Sequence, residues 1–97
     1  MSKLDRLIHQ PVRLQIMAAL VALDDEAQLG FTTLRDMLNL SDGNLGAHLR
    51  KLEEADYIQV QKTFIARKPQ TFVQATALGR QRFEDHAAAL KSILENE

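Results

Sequence analysis

One segment, residues 41–76, constrains the fold more than any other part of this 97-residue chain. Leu45, Leu49 and Leu52 recur in it at helical spacing, which predicts a helix with a single buried face. Ser41 stands where the N-cap of that helix is expected, because its hydroxyl can accept a hydrogen bond from a first-turn N–H. Aromatic and β-branched residues in the second half of the segment then predict two strands. The segment is therefore read as a helix followed by a hairpin.

Four further helices are predicted around this segment. A short helical arm covers residues 3–9, and a helix with Pro11 in its first turn runs to about Leu23. Thr32 is the expected N-cap of the next helix, and Thr76 that of the last. The predicted fold class is therefore mainly α with a small β-hairpin (α+β), in a single domain over residues 1–97.

Turn and strand details are predicted from single residues. Phe31 is expected to form a strand of one or two residues, and Asp56 to close the third helix in the left-handed conformation. Residues 65–70 are expected to form the hairpin tip, with Pro69 outside both strands because proline cannot donate to a strand ladder.

Composition limits the classes of protein. The chain has no cysteine, which excludes disulfides and thiolate metal sites. The N-terminus has no long apolar run, so neither a signal peptide nor a membrane span is predicted, and a cytoplasmic location is expected.

The distribution of charge along the chain is more informative than the net charge of −1. Residues 57–71 contain three bases and no acid. A capped helix beside a basic hairpin suits a protein that places the helix in a DNA groove and holds the flanking phosphates. A solubilising hairpin end is the simpler alternative. The candidate phosphate contacts of the hairpin are Lys62, Thr63, Arg67, Lys68 and Gln70.

The outer face of the third helix is the candidate base-reading surface. Arg50 could bind a phosphate or a guanine edge, and Asn44 an adenine edge. The small residues would let the helix backbone approach DNA closely, which favours shape and methyl contacts. An ordinary solvated helix face is the alternative. The other residues on this face are Asp42, Gly43, Gly46 and Ala47.

The last helix carries an apolar stripe at spacings of four, three and four. It could pack on its own domain, on the same helix of a second copy, or on both. A two-fold dimer would double the phosphate contacts and set the half-site spacing near one helical turn. The candidate dimer residues, which include the N-terminal arm, are Leu4, Leu7, Ile8, Phe83, Ala87, Leu90 and Leu94.

Catalytic and metal chemistry are not predicted. The three histidines fall on three different helices, and His48 is expected to be a partly buried structural residue. His86 follows two acidic residues, but no second nitrogen ligand stands at helical spacing. There is no glycine-rich phosphate loop and no suggestive catalytic set. The sequence therefore predicts no enzyme activity, no catalytic residue, no metal and no cofactor.

Three runs of residues carry a resemblance to a known family: DGNLGAHLRKLEEADYI, KTFIARKPQT and TALGRQRF. They resemble the winged-helix regulators of the MarR/ArsR type, in particular the small subgroup that contains little beyond the DNA-binding domain. The resemblance extends from about Arg6 to Leu94. It implies a winged helix-turn-helix with added N- and C-terminal helices. The implied parts are a recognition helix over 42–55, a wing over 57–75 and a C-terminal dimerisation helix over 77–95.

The resemblance also implies a function. Such proteins are homodimeric transcriptional regulators that bind pseudo-palindromic promoter DNA. The chain departs from the family where Gly46 and Ala47 replace a serine and a basic or polar residue, and where Asp56 replaces glycine and Ala75 replaces leucine. The family's DNA-facing positions correspond here to Asp42, Gly43, Asn44, Gly46, Ala47 and Arg50.

The expected function is sequence-specific binding of double-stranded DNA by a homodimer that represses transcription by blocking the promoter. Two alternatives stay open. A winged helix can serve as a protein-interaction module, which the net acidic recognition helix would suit. It can also be a sensor that holds a small apolar effector between the terminal helices and the core.

Overall fold

The computed structural model describes residues 4–96. It confirms a mainly helical fold with a small antiparallel sheet, as the sequence predicts. The single-domain extent stays a prediction. In chain order the elements are α1 (Arg6–His9), α2 (Pro11–Val21), β1 (Leu29–Gly30), α3 (Phe31–Leu38), α4 (Asp42–Glu54), β2 (Ile58–Ile65), β3 (Lys68–Ala75) and α5 (Ala77–Glu95).

The core lies between the helices and one face of the sheet. The three leucines of α4 that the periodicity identified are all buried there, and each contributes about 1.5–3 kcal/mol by leaving water. The arm α1 also enters this core through Ile8, which is fully buried. The other buried apolar residues are Ile16, Met17, Leu20, Leu34, Tyr57, Ile58, Val73 and Ala75.

The sheet has the order β1-β3-β2 with antiparallel neighbours throughout. Strand β1 pairs with β3 only at Leu29↔Val73 and Gly30↔Phe72. No third strand from the described residues 4–96 pairs with the outer half of the β2–β3 hairpin, which projects beyond the core as a two-stranded ribbon.

Helix ends are set by the predicted residues. Ser41 Oγ accepts a hydrogen bond from the Asn44 N–H at 3.1 Å, and Thr76 Oγ1 accepts one from the Gly79 N–H at 2.9 Å. Pro11 is the first residue of α2. Asp56 has a φ of 64°, the left-handed conformation expected after α4. These signals are local, which is why the sequence identifies them.

The boundary between β1 and α3 was predicted wrongly. Phe31 is the first residue of α3 and not a strand residue, and the N-cap is Gly30 rather than Thr32. The strand lies one residue earlier because its only support is the pairing with β3, far away in the sequence. Gly30 has no side chain to cap the helix, so the usual capping signal is absent at the true start.

The hairpin tip is much tighter than predicted. Strands β2 and β3 continue to Ile65 and Lys68, which leaves only Ala66 and Arg67 in the turn. Both turn residues have positive φ, 52° and 68°, as a type I′ turn requires. Pro69 therefore lies within β3, which the sequence prediction excluded. It is tolerated because β3 pairs on one side only at this point, so the missing N–H faces no neighbouring strand.

Two helices are shorter than predicted. Helix α2 ends at Val21 rather than Leu23, and the arm is helical only from Arg6 to His9. Position 3, where the arm was expected to begin, lies outside the described residues. Within residues 4–96, none of the helices combines the length and the apolar character needed to cross a membrane.

Candidate nucleic-acid interface

Helix α4 presents one face to solvent. Its apolar stripe is buried, so the predicted reading residues fall on the opposite side. Gly46 is half-buried, and a Cβ placed on it or on Gly43 would meet nothing within 4 Å. The helix backbone is thus accessible on this face. The exposed residues among those predicted are Asp42, Gly43, Asn44, Ala47 and Arg50.

The outer face of α4 and the hairpin border the same cleft. This cleft has a volume of about 300 Å³ and runs between the second half of α4 and the inner face of β2 and β3. The helix and the hairpin therefore lie on one side of the molecule, as a straddling of duplex DNA would require. The lining residues are Phe31, Gly46, Leu49, Arg50, Glu53, Val60, Lys62 and Thr71.

The register divides the predicted hairpin contacts between two faces. Lys62 pairs with Thr71 and lines the cleft, whereas Thr63 pairs with Gln70 on the opposite face, because side chains alternate along a strand. Arg67 lies in the turn, and Lys68 is the first residue of β3. Gln70 is half-buried and the other predicted hairpin contacts are exposed. The structure therefore does not bring all five to one surface.

Asp42 is held by a residue that sequence reasoning missed. Arg35 of α3 donates to its carboxylate at 2.8 Å and to that of Asp36 at 3.0 Å. The hydrogen bonds that Arg35 donates to Asp42 and then to Asp36 raise the pKa of Arg35. The pair bridges two helices across their turn, so neither helical periodicity nor capping rules would find it. Its effect is to offset the negative charge of Asp42 at the start of α4.

His48 lies at the edge of α4 against the N-terminal helices. Its Nδ1 is 3.1 Å from a guanidinium nitrogen of Arg13, whose Nε donates to the Leu7 carbonyl at 2.6 Å. Burial, then the charges of Arg13 and Lys51, lower the pKa of His48. The half-buried position matches the structural role that the sequence predicts.

The predicted dimer residues fall into two groups. Ile8 is fully buried inside the protomer, and Leu7 and Phe83 pack against its core. Leu90 is half-buried, whereas Ala87 is exposed, and Leu94 is 71% and Leu4 37% exposed. A second copy could therefore reach mainly the second group.

A polar cluster that the sequence did not reveal connects the start of α1, α5 and the residue before β2. The Asp5 N–H donates to Nδ1 of His86, and the Tyr57 hydroxyl donates to Asp5 Oδ2 at 2.5 Å. His9 Nδ1 lies 3.4 Å from Nε2 of His86, which is fully buried. Burial, and then His9, lower the pKa of His86, while Asp5 opposes this shift. The partners are about as far apart in sequence as the chain allows, so no local pattern signals them.

Metal ligands do not assemble within residues 4–96. No group of three histidine, cysteine or acidic side chains in this part of the chain could hold a metal ion. The two histidines that meet, His9 and His86, contact each other edge to face with ring centroids 5.2 Å apart.

Residues 12–94 match the family described as the winged helix DNA-binding domain. The chain belongs to this family. The resemblance noted in the sequence is thereby confirmed, and several solved structures that share this fold are named as transcriptional regulators or their homologues.

Individual relatives of this winged helix extend over nearly its whole length. An uncharacterized protein of Methanocaldococcus jannaschii is 32% identical over 91 residues, which are 94% of this chain and 96% of the relative. A transcriptional regulator homologue from Pyrococcus horikoshii OT3 superposes with a TM-score of 0.85 at 29% identity, covering 95% of this chain and 88% of its own. AbfR, solved in reduced form bound to DNA, shares the fold with a TM-score of 0.70 at 20% identity, covering 81% and 54%.

Proposed function

We propose that this winged helix is a transcriptional regulator that binds a specific sequence of double-stranded DNA. The observation that carries the proposal is the shared cleft, which sets the exposed face of α4 beside the acid-free hairpin. A helix in the major groove with a flanking ribbon on the backbone is a known way of docking on duplex DNA. The DNA-bound form of AbfR supports the use of this fold on DNA.

We assign different DNA contacts to α4 and to the hairpin according to where their residues lie. Asn44 and Arg50, both exposed on α4, contact base edges or phosphates in the major groove. Arg67 in the turn and Lys68 beside it bind the neighbouring backbone. Gly43, Gly46 and Ala47 allow the close approach, and Lys62 adds a phosphate contact from the cleft-facing side of the ribbon. Thr63 and Gln70 lie on the other face and fall outside the proposed surface, and Asp42 is paired with Arg35.

Salt dependence tests the role of the hairpin. The binding constant of Arg67→Ala/Lys68→Ala should fall less steeply with salt, because each lost phosphate contact removes roughly 0.9 from the log–log slope. We expect a flattening of about 1.8 for each bound hairpin, measured by fluorescence anisotropy with duplexes that the wild-type protein selects from a random pool. Lys91→Ala, an exposed base on α5, is the matched control and should leave the slope unchanged. An unchanged slope in the double variant would remove the hairpin from the mechanism.

The proposal includes a homodimer that occupies a pseudo-palindromic operator. Helix α5 has 19 residues, and its second half is mostly exposed, with Ile93 45% and Leu94 71% accessible. Burying such a stripe against its symmetry copy would set two α4 helices against half-sites roughly 34 Å apart. Ala87 is exposed one turn before Leu90 on the same helix, and Leu4 of the N-terminal arm is 37% exposed.

Dimerisation is tested by introducing lysines on the apolar stripe of α5. Leu90→Lys/Leu94→Lys should halve the mass measured by sedimentation and weaken operator binding. Ser92→Lys/Asn96→Lys adds the same charge at exposed positions off the stripe and should leave both unchanged. Equal behaviour of the two variants would argue against this interface.

Repression by promoter occlusion is the proposed consequence of binding. A bound dimer would cover the promoter and exclude the polymerase, which an in vitro transcription assay on a selected promoter measures directly. If no genomic fragment binds in a gel-shift series, the protein-interaction alternative gains instead. A ligand-induced rise in melting temperature would support the effector-sensing alternative.

A further inference from the structure

An exposed aromatic residue stands near the end of the hairpin. Phe64 is 74% accessible, more than any other large apolar side chain within residues 4–96. Its cross-strand partner is Pro69, so an apolar pair occupies one face of the ribbon just before the turn. Neither residue belongs to the core cluster. A phenylalanine this exposed contributes almost nothing to folding by burial, which directs attention to a binding partner.

The register places this pair on the cleft-facing side of the ribbon. Side chains alternate along a strand, so Val60, Lys62 and Phe64 share one face. Val60 packs against the core, and both Val60 and Lys62 line the cleft beside α4. Phe64 therefore continues that surface outward. Ile65, which is 53% exposed, lies on the opposite face.

The reach of the ribbon matches the geometry of duplex DNA. From Val60, the last β2 residue against the core, to Phe64 is about 14 Å at roughly 3.4 Å per residue, and the start of the turn lies one residue further on, at about 17 Å. Half of one duplex turn is also about 17 Å. With α4 in a major groove, the end of the ribbon would meet the adjacent minor groove. The two-residue turn keeps the ribbon short and defined.

The charged residues around Phe64 indicate which kind of partner binds this surface. Lys62, Arg67 and Lys68 are the charged residues between positions 57 and 71, and all three are basic. A polyanion complements this surface, whereas a second copy of the same hairpin would be repelled by like charge. Proteins that bind the minor groove commonly combine such bases with an apolar side chain inserted at a base step.

We propose that Phe64, backed by Pro69, inserts into the minor groove beside the site of α4 and favours a deformable base step there. The favoured steps would be TA or CA/TG, which unstack more easily than the steps of a stiff A-tract. This inference rests on the proposed DNA-binding function and adds a specificity element to it. Phe64 thus reads deformability, while Arg67 and Lys68 supply charge.

The inference is tested by the affinity of the protein for two duplexes that differ only at one base step. The probes are duplexes that the wild-type protein selects from a random pool, made with either TA or AA at the step facing the ribbon. Phe64→Ala should bind the TA duplex about tenfold more weakly, the size of one lost aromatic–base contact, and should lose the preference for TA over AA. The salt slope should stay that of the wild type, because no phosphate contact is removed.

Matched variants separate insertion from general effects. Ile65→Ala removes an exposed apolar residue from the opposite face and should bind both duplexes as the wild type does. Phe64→Leu should keep part of the preference. In the wild-type complex, 2-aminopurine at the step should brighten as the base unstacks, and Phe64→Ala should abolish this signal. Because Phe64 is exposed, the melting temperatures of the variants should match that of the wild type.

The results of these experiments separate a failure of Phe64 insertion from a failure of the proposed DNA-binding function. If the wild type binds DNA and Arg67→Ala/Lys68→Ala flattens the salt slope, but Phe64→Ala keeps affinity and step preference, insertion is wrong and the proposed function stands. Equal losses in Phe64→Ala and Ile65→Ala would also overturn insertion. If the wild type selects no duplex from the pool, the proposed function itself fails.

Discussion

The backbone N–H of Asp5 donates to Nδ1 of His86 at 2.9 Å, which joins the N-terminal arm to α5. Because Nδ1 accepts this bond, the ring is neutral with its proton on Nε2, which points at His9. The carboxylate of Asp5 at the same time caps α1 through the Leu7 N–H at 2.8 Å and accepts from the hydroxyl of Tyr57. One short segment thus joins α1 to α5 and to the chain that leads into β2.

The first prediction concerns stability at mildly acid pH. Burial lowers the pKa of His86 and of His48 below the ordinary value of 6.5, so both stay neutral in the fold. Below about pH 6.5 the unfolded chain binds more protons than the folded one, so the free energy of unfolding falls as the pH falls. Urea denaturation between about pH 5 and pH 8 should show full stability at the upper end and a progressive loss below 6.5.

Conservative variants identify the groups responsible. His86→Asn keeps an acceptor for the Asp5 N–H but removes the titration, so part of the pH dependence should disappear. His48→Asn should remove the other part. A pH dependence that survives in the double variant would assign the effect to other groups.

The second prediction uses the only tyrosine of the chain, which also has no tryptophan. Burial, and then the hydrogen bond to Asp5, raise the pKa of Tyr57 to about 12. Tyrosinate absorbance near 295 nm should therefore appear about two pH units above the ordinary value of about 10. The unfolded chain loses this proton first, so folding stability should fall above about pH 10. Asp5→Asn should lower the transition, and a native-state transition near pH 10 would contradict the buried geometry.

The third prediction contrasts two helical glycines. A Cβ on Gly79 would lie 2.9 Å from the carbonyl carbon of Tyr57 and closer still to its oxygen. Gly79→Ala should therefore cost about 2–3 kcal/mol, because rigid backbone must move. Gly46→Ala, in open space within α4, should instead stabilise by roughly 0.5–1 kcal/mol through helix propensity. Thermal denaturation measures both, and equal effects would refute the close contact at Gly79.

The fourth prediction concerns Arg80, which caps the end of α2. Its guanidinium donates to the carbonyls of Val21 and Asp24 at 3.2 and 2.9 Å, while its ion pair with exposed Asp25 is 3.5 Å long. Arg80→Ala should cost about 2 kcal/mol, since the carbonyls after the last turn of α2 lose a charged donor that is itself largely buried. Lys91→Ala, which breaks an exposed pair, should stay within about 0.5 kcal/mol. Similar losses in the two variants would show that the carbonyl bonds contribute little.

The sequence specifies this fold where the signals are local. The buried stripe of α4 and the caps Ser41 and Thr76 follow from spacing and side-chain chemistry within one helical turn. The hairpin turn could not be predicted, because Ala66 and Arg67 adopt positive φ without the glycine or asparagine that usually marks it. Strand β1 depends on its pairing with β3, and no residue near β1 in the sequence indicates that pairing.

The candidate site was predicted unevenly for the same reason. The exposed face of α4 follows directly from the position of its leucines. The ion pair between Arg35 and Asp42 forms only when two helices pack together, so the sequence does not reveal it. That Lys62 and Thr63 lie on opposite faces of the ribbon follows only from the strand register. The contact between His9 and His86 joins residues 77 positions apart, a separation at which sequence spacing carries no information.

The open space above Gly43 and Gly46 has an evolutionary consequence. A Cβ added at either position meets no neighbouring atom within 4 Å, since the leucines that support the helix lie on its other side. In the proposed DNA complex both positions face the major groove, so one or two mutations in a duplicated gene could change its target site while the scaffold stays the same.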